Sequence, residues 1–320
     1  MAMLNIMANF WQKLKKPFVA LAPMEDVTDH LFREVVSLYL PRPDIMFTEF
    51  TNVEALNSEG FDRTISRFKF NEIQRPIVAQ IWGLNPENYY KTAKMIVKFG
   101  FDGIDINMGC PDRAVVKMGA CSALINNHPL AKEIIEATKK GADKLPVSVK
   151  TRLGLTKMVT KEWITFLLEQ NITAITVHGR TSKQMSDVPA DWNEIKKIAD
   201  IRNKISPTTI IVGNGDVKNY SDGIEKSKKY EVDGAMIATG MLKNPWVFEE
   251  KNKKHTLKDN TEMLIKHLNL YQVTLGDKKR YDVMKKFFKM YINNTIGANA
   301  LRAKLMVTKT IDEALEILKS

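Results

Sequence analysis

The feature that most constrains this chain is an alternation of two patterns. Eight short segments rich in Val and Ile read as strands: Phe18–Met24, Ile45–Phe50, Pro76–Trp82, Gly103–Gly109, Val147–Leu153, Ala174–Arg180, Thr209–Gly215 and Gly234–Gly240. Between them, Asn88–Phe99, Leu130–Thr138, Lys161–Gln170, Trp192–Ile201 and Tyr220–Lys229 place apolar residues at helical spacing. Strands that alternate with helices pair in parallel, because each crossover helix carries the chain back to start the next strand in the same direction. Eight such strands in about 225 residues predict an α/β fold of the (β/α)8 TIM-barrel kind rather than an open doubly wound sheet. The stretch from Arg42 to Arg75 is less regular and is expected to hold a helix and loops behind the second strand.

After Asn244-Pro245-Trp246 the strands stop. Met263–Leu275 and Val283–Ile292 read as helices, and a last helix opens at Thr310 with Glu313 three positions on, the spacing of a capping box. This predicts a catalytic barrel over residues 1–250 and a small C-terminal helical domain over 251–320, joined by the lysine-rich linker Lys251–Lys258. Charge supports the division. Of the net +11, residues 251–320 supply +8, from 15 Lys/Arg against 7 Asp/Glu. A localised basic segment points to a polyanionic partner. Phe287, Phe288 and Tyr291 are interleaved with lysines there, and helical spacing assigns them to the domain's own core rather than to a nucleic acid. At the other end, Met1–Leu14 reads as a short amphipathic helix leading into the first strand.

In a barrel of this kind the active site lies where the strands end at their C-terminal side. Here those ends carry polar groups one after another: Pro23-Met24-Glu25, Glu49, Gln80, Asn107 with Cys110, Lys150 with Arg152, His178 with Arg180, Asn214-Gly215-Asp216, and Thr239-Gly240. Single members have ordinary explanations; one set per strand does not. The last two sets stand where barrels commonly bind phosphate with backbone N–H groups. In Asp102-Gly103-Ile104-Asp105-Ile106-Asn107-Met108-Gly109-Cys110-Pro111, Gly109 permits a sharp turn and Pro111 ends any ladder, so a thiol is held at a strand mouth. The other cysteine, Cys121, reads as a small buried filler at a helix start, not a partner of Cys110.

The chain resembles the tRNA-dihydrouridine synthase family nearly end to end. The resemblance rests on Ala22-Pro23-Met24-Glu25-Asp26-Val27-Thr28-Asp29 with Phe32-Arg33, and on Pro76-Ile77-Val78-Ala79-Gln80-Ile81-Trp82-Gly83. It continues through Asp105-Ile106-Asn107-Met108-Gly109-Cys110-Pro111 with Val116-Lys117-Met118-Gly119-Ala120, Val149-Lys150-Thr151-Arg152-Leu153-Gly154 and His178-Gly179-Arg180-Thr181. Gly213-Asn214-Gly215-Asp216 and Asn244-Pro245-Trp246 follow in the family's order. The resemblance implies an FMN-bound barrel whose helical domain holds tRNA, with NADPH or NADH re-reducing the flavin. It implies that Pro23, Met24 and Glu25 lie along the flavin, that Gln80 hydrogen-bonds its ring and that Lys150 sits by its pyrimidine side. His178, Asn214, Gly215, Asp216, Thr239 and Gly240 would line the ribityl-phosphate path, and Asn107, Arg152 and Arg180 would hold substrate. One departure stands out: the family usually has Gly-Arg where Ala238-Thr239 stand, so a phosphate-pairing arginine is missing.

Chemistry then assigns the central role. Saturating the C5=C6 bond of a uridine needs a hydride at C6 and a proton at C5. No side chain carries a hydride, so a flavin or a nicotinamide must supply it, and the resemblance implies FMN. A thiol of ordinary acidity, with pKa about 8.5, keeps its proton at neutral pH, which makes Cys110 the expected catalytic acid. Three other readings remain open at this stage: an FMN oxidoreductase acting on a free pyrimidine, a tRNA-binding protein with a decayed flavin site, and a Schiff-base barrel using Lys150. Two cysteines are too few for a disulfide framework or a four-thiolate metal site. No apolar run has membrane length, and no secretory cleavage pattern is seen. The expectation is a cytoplasmic, metal-free monomer whose partner is tRNA.

Overall fold

The computed structural model describes residues 9–251, 253–276, 280–293 and 295–319. Helix α1 (Phe10–Lys13) is capped by Asn9, whose side chain accepts from the Gln12 N–H; the rest of the expected N-terminal helix lies outside the described residues. β1 (Phe18–Leu21) and α2 (His30–Tyr39) follow, then β2 (Met46–Phe47), β3 (Thr51–Asn52), α3 (Val53–Leu56) and α4 (Phe61–Thr64). The regular part runs β4 (Ile77–Trp82), α5 (Pro86–Phe99), β5 (Gly103–Met108), α6 (Arg113–Lys117), α7 (His128–Ala142), β6 (Val147–Arg152), α8 (Thr160–Glu169), β7 (Ala174–His178), α9 (Trp192–Ile205), β8 (Ile210–Asn214), α10 (Tyr220–Lys229) and β9 (Gly234–Ile237). Helices α11 (Leu257–Thr274), α12 (Lys285–Tyr291), α13 (Ala298–Met306) and α14 (Ile311–Lys319) come last.

Every strand pair is parallel, in the order β1-β9-β8-β7-β6-β5-β4-β2, with β3 also on β4. The Leu21 N–H donates to Ile45 O at 3.0 Å and the Asp44 N–H to Val19 O at 2.9 Å, bringing the first stave against the second. This is a nearly closed (β/α)8 barrel. The second stave differs from the continuous strand expected over Ile45–Phe50. It breaks between β2 and β3, because the Gln80 N–H donates to the Thr48 hydroxyl at 3.0 Å, where a continuous strand would offer a carbonyl. The interruption frees Glu49, whose carboxylate accepts from the Asp26 N–H at 2.8 Å.

Strand alternation sorts side chains into two cores. Phe18, Ala20, Phe47, Val78, Ala174, Ile210, Val212 and Met236 form the barrel's inner cluster together with Trp11 of α1. The Trp11 ring lies 6.0 Å from Phe18 and 6.4 Å from Phe47, so α1 seals the floor. The other face of each strand packs on the helices, as with Ile104, Ile106, Val149, Ile175 and Ile211. Each fully buried aliphatic side chain of this shell contributes about 1.5–3 kcal/mol. Along the inward rows of β4, β5 and β6 the residues turn polar toward the C-terminal end: Gln80, Asp105, Asn107, Ser148 and Lys150. An apolar floor with a polar mouth is therefore written into the strands.

The C-terminal helices are tied to the barrel by aromatic packing. Phe287 of α12 stacks on Phe32 of α2, centroids 5.3 Å apart, and His267 of α11 lies 4.8 Å from Phe287. Phe287, Phe288 and Tyr291 are buried, as their helical spacing predicted. The lysine-rich connection is braced too. Trp246 stacks on His255 and donates from Nε1 to Asn260 Oδ1 at 2.6 Å, while Thr256 and Asp259 form a capping box that starts α11. At Thr310 the expected box is half made. The Thr310 hydroxyl accepts from the Glu313 N–H, but the Glu313 carboxylate takes the N–H of Lys309.

Candidate active site

At the mouth of β5 a chain of hydrogen bonds sets the position of Cys110. The Asp105 carboxylate accepts from Ser148 Oγ at 2.6 Å and from Gln80 Nε2 at 2.6 Å. With its nitrogen held there, Gln80 turns its oxygen to Asn107 Nδ2 at 3.2 Å. Asn107 in turn points its oxygen at the N–H groups of Gly109 and Cys110, both at 3.0 Å. A carboxylate can only accept here, so it orients both amides in sequence. Burial raises the Asp105 pKa to about 6, with Ser148, Gln80 and Lys150 working against the rise. Gln80 and Asn107, expected at the flavin ring and the uracil edge, thus also form the scaffold of the thiol loop.

One expectation about the cysteines is corrected. Cys121 is buried at the start of a turn (Cys121–Asn126), as a small filler would be, and lies close enough to Cys110 to affect its acidity. Cys110, for its part, is not an unperturbed thiol. Cys121 pulls its pKa to about 7 against the effect of burial, and the Asp112 N–H and Arg152 pull the same way. Cys121 holds this place with φ +52°, in the left-handed region that a β-substituted residue seldom adopts. The composition of the chain gave no sign of this contact, which depends on how the loop after α6 folds back onto β5.

The ladder brings the next residues into one arc, with Asn107 opposite Lys150, Arg152 opposite His178, and His178 opposite Asn214. Lys150 Nζ donates to Asn214 Oδ1 at 3.3 Å. Burial and Arg152 lower its pKa to about 8, which leaves it mostly cationic at neutral pH. Arg152 spends its donors on backbone, with Nε on Gly109 O at 2.8 Å and Nη1 on Thr181 O at 3.1 Å. It clamps the Cys110 loop to the loop after β7.

Arg180 Nη2 meets both oxygens of Asp216 at 2.7 Å. Burial opposes ionisation of Asp216, yet Arg180 and the Ala190 N–H outweigh it and hold the carboxyl below its ordinary range. Burial, with Arg152, Lys150 and Arg180 adding, drops His178 to about 2. The ring is neutral, so its Nε2 accepts from Arg180 Nη1 at 3.1 Å and the proton sits on Nδ1. These residues, with Asn214, Gly215 and Thr239, line a polar cavity of about 360 Å³ at the ends of β7, β8 and β9. Gly215 is required there. Its φ is +115°, and a Cβ would come within 2.8 Å of the His178 ring.

On the β1 side, Glu25 forms a paired contact with Arg67, which also approaches Glu49 at 3.7 Å. Arg67 comes from the irregular stretch before β4 and was not visible as a site residue in the sequence. Pro23 is buried, and the Met24 N–H is held by the Thr28 hydroxyl at 2.9 Å. Arg33 of the same signature is wholly buried on Thr28 O, Lys69 O and Gln74, so it supports the loop rather than facing a ligand. Thr239 and Gly240 begin the turn that follows β9, and Thr239 reaches the cavity.

A parallel eightfold barrel with a thiol, a half-buried lysine and a polar cavity around one rim defines a barrel enzyme whose chemistry sits at the strand ends. The comparisons say which kind. The family model described as "Dihydrouridine synthase (Dus)" matches residues 20–320. A "Probable tRNA-dihydrouridine synthase" of Staphylococcus aureus (strain MRSA252) is 44% identical over 313 residues, 97% of this chain and 94% of that one. The "Probable tRNA-dihydrouridine synthase 2" of Bacillus subtilis (strain 168) is 43% identical over 97% of this chain and 95% of its own. The chain belongs to the dihydrouridine synthase family and is an enzyme of that type.

Proposed function

We propose that this protein reduces the C5=C6 bond of uridines in tRNA to dihydrouridine, with FMN at the barrel mouth and NADPH or NADH as the reductant. The observation that carries the reading is the placement of Cys110. A half-buried thiol, oriented by Asn107 and titrating near neutrality, stands on the same rim as Lys150 and the polar cavity. The donor set suits a phosphorylated ring cofactor. Lys150 and Gln80 would face its ring, with Pro23, Met24 and Glu25 along one edge. His178, Asn214, Gly215, Asp216, Thr239 and Gly240 would surround its phosphate chain. When bound, the flavin supplies the hydride that no side chain can carry.

The protein's own residues do the rest. The uridine leaves its stack to reach the pocket, at a cost of a few kcal/mol, which contacts to the tRNA backbone must offset. Residues 251–320, with their +8 balance, are the segment suited to make those contacts. Arg152 holds the Gly109 carbonyl and Asn107 holds the Cys110 N–H, so the thiol is fixed while the base enters. Cys110 Sγ gives its proton to C5 and is left as a thiolate, which takes a proton back from solvent. Lys150 holds positive charge beside the site and disperses the negative charge that builds up in the transition state.

Replacing Cys110 by Ala tests the reading. The variant should keep bound flavin and tRNA affinity, while dihydrouridine formation falls about 10²–10⁴-fold. Undiminished product in that variant removes Cys110 from the mechanism. Turnover of free uracil or orotate that tRNA does not affect would instead overturn tRNA as the substrate.

A further inference from the structure

Among the described residues, the cavity at the ends of β7, β8 and β9 carries a positive charge that no carboxylate pairs. Arg180 is matched by Asp216, with both carboxylate oxygens 2.7 Å from Nη2. The Asp216 carboxylate also accepts the Ala190 N–H, so this pair is closed on itself. His178 is neutral, as its lone pair toward Arg180 requires. Lys243 is the remaining charged residue on the cavity wall, and it makes no ion pair among the described residues.

The position of Lys243 is fixed from two sides. The turn after β9 closes through the N–H groups of Lys243 and Asn244, both donating to Gly240 O at 3.1 Å. Asn293, just past α12, donates from Nδ2 to the Lys243 carbonyl at 2.9 Å. The backbone is held by the barrel and by the C-terminal helices together, while the side chain stays exposed at the rim beside Thr239. A terminal phosphate monoester carries up to two negative charges and needs a cation that no carboxylate has already taken. Arg180 cannot serve without giving up Asp216. A lysine is a compact point charge on a flexible stem and suits a phosphate that approaches from an open rim.

We infer that Lys243 is the cation that holds the phosphate monoester of the cofactor, replacing from four residues downstream the arginine that Thr239 displaces. The inference rests on the flavin reading proposed above and adds to it a residue that the resemblance does not assign.

The test compares two flavins that differ only in the phosphate. The full-length chain is cleared of flavin by dialysis and titrated with FMN and with riboflavin, following the quenching of flavin fluorescence. Lys243→Met should weaken FMN about tenfold or more and leave riboflavin within about twofold, and Lys243→Arg should restore FMN. The FMN loss should shrink as salt is raised, because the site is open to solvent. An unchanged ratio of FMN to riboflavin affinity in Lys243→Met overturns the inference, as does equal weakening of both. Those outcomes leave the flavin reading standing if the unmodified protein still prefers FMN. Unmodified protein that binds neither flavin overturns the flavin reading and this inference with it.

Discussion

Cys110 has to hold a proton to deliver one, and its neighbours decide at what pH it can. A catalytic acid is fully active below its pKa and loses activity as pH rises through it, so the basic limb of the rate profile should fall near pH 7. Cys121 is the largest influence on that position. Cys121→Ala removes that influence and should move the limb to higher pH. Single-turnover reduction of uridine against pH checks this, and alkylation of Cys110 by iodoacetamide against pH checks it without turnover. A limb and an alkylation curve that stay in place would remove Cys121 from the account. The thiol at the strand mouth was legible in Asn107-Met108-Gly109-Cys110-Pro111, since glycine and proline mark where a strand must stop. Its acidity was not legible in full, because beside the neighbouring Asp112 it depends on Cys121 from the turn after α6 and Arg152 from the end of β6.

At the scale of elements, the strands kept their predicted places and ended where expected or up to three residues early. The second stave departed furthest, and Thr48 explains it by offering a hydroxyl in place of a ladder carbonyl. The contact of α11 and α12 with α2 carries its own pH dependence. His267 is buried between Phe32, Phe287 and Tyr291, and burial lowers its pKa from 6.5 to about 4. The folded state therefore holds the neutral ring, while the unfolded chain binds a proton below about pH 6.5. The stability tied to this group is fully present above pH 6.5 and is lost as pH falls toward 4, about 3 kcal/mol across that window. His267→Gln can still bond the Tyr291 hydroxyl but does not titrate. Urea midpoints at pH 7 and pH 5 should separate in the native protein more than in this variant, and equal separations would refute the assignment.

For the whole molecule, the basic C-terminal segment and the barrel act as one packed body at Phe32 and Phe287. Cutting the chain before Lys251 would strip α2 of that cover, so loss of tRNA binding in a truncated barrel would not isolate the charge effect. Charge reversal does. Lys286 and Lys289 are exposed on α12, on the side where Lys286 reaches the Asp26 carbonyl near the barrel mouth. The double variant Lys286→Glu, Lys289→Glu should flatten the salt dependence of tRNA affinity, reducing the slope of log K against log salt by about 1.5 or more. Flavin content should be unchanged. An unaltered slope would place the tRNA elsewhere. No helix among the described residues is long and apolar enough to cross a membrane.

The sequence by itself determined the barrel, because strand and helix periodicities are local properties that each segment carries alone. It also determined which rim is polar, since alternation along a strand assigns every second residue to the inside. It located Asn107, Cys110, Lys150, His178 and Asn214 at strand ends, and the ladder then brought them together as neighbours. Tertiary structure alone decided that Asp105 orients two amides, that Cys121 lies where it bears on the acidity of Cys110, that Arg67 answers Glu25, and that Lys243 faces a cavity whose one carboxylate is already taken by Arg180. The physical reason is the same in each case. Hydrogen bonds and charge pairs act over a few ångströms between residues far apart in the chain, and only the closed barrel brings those residues within that range.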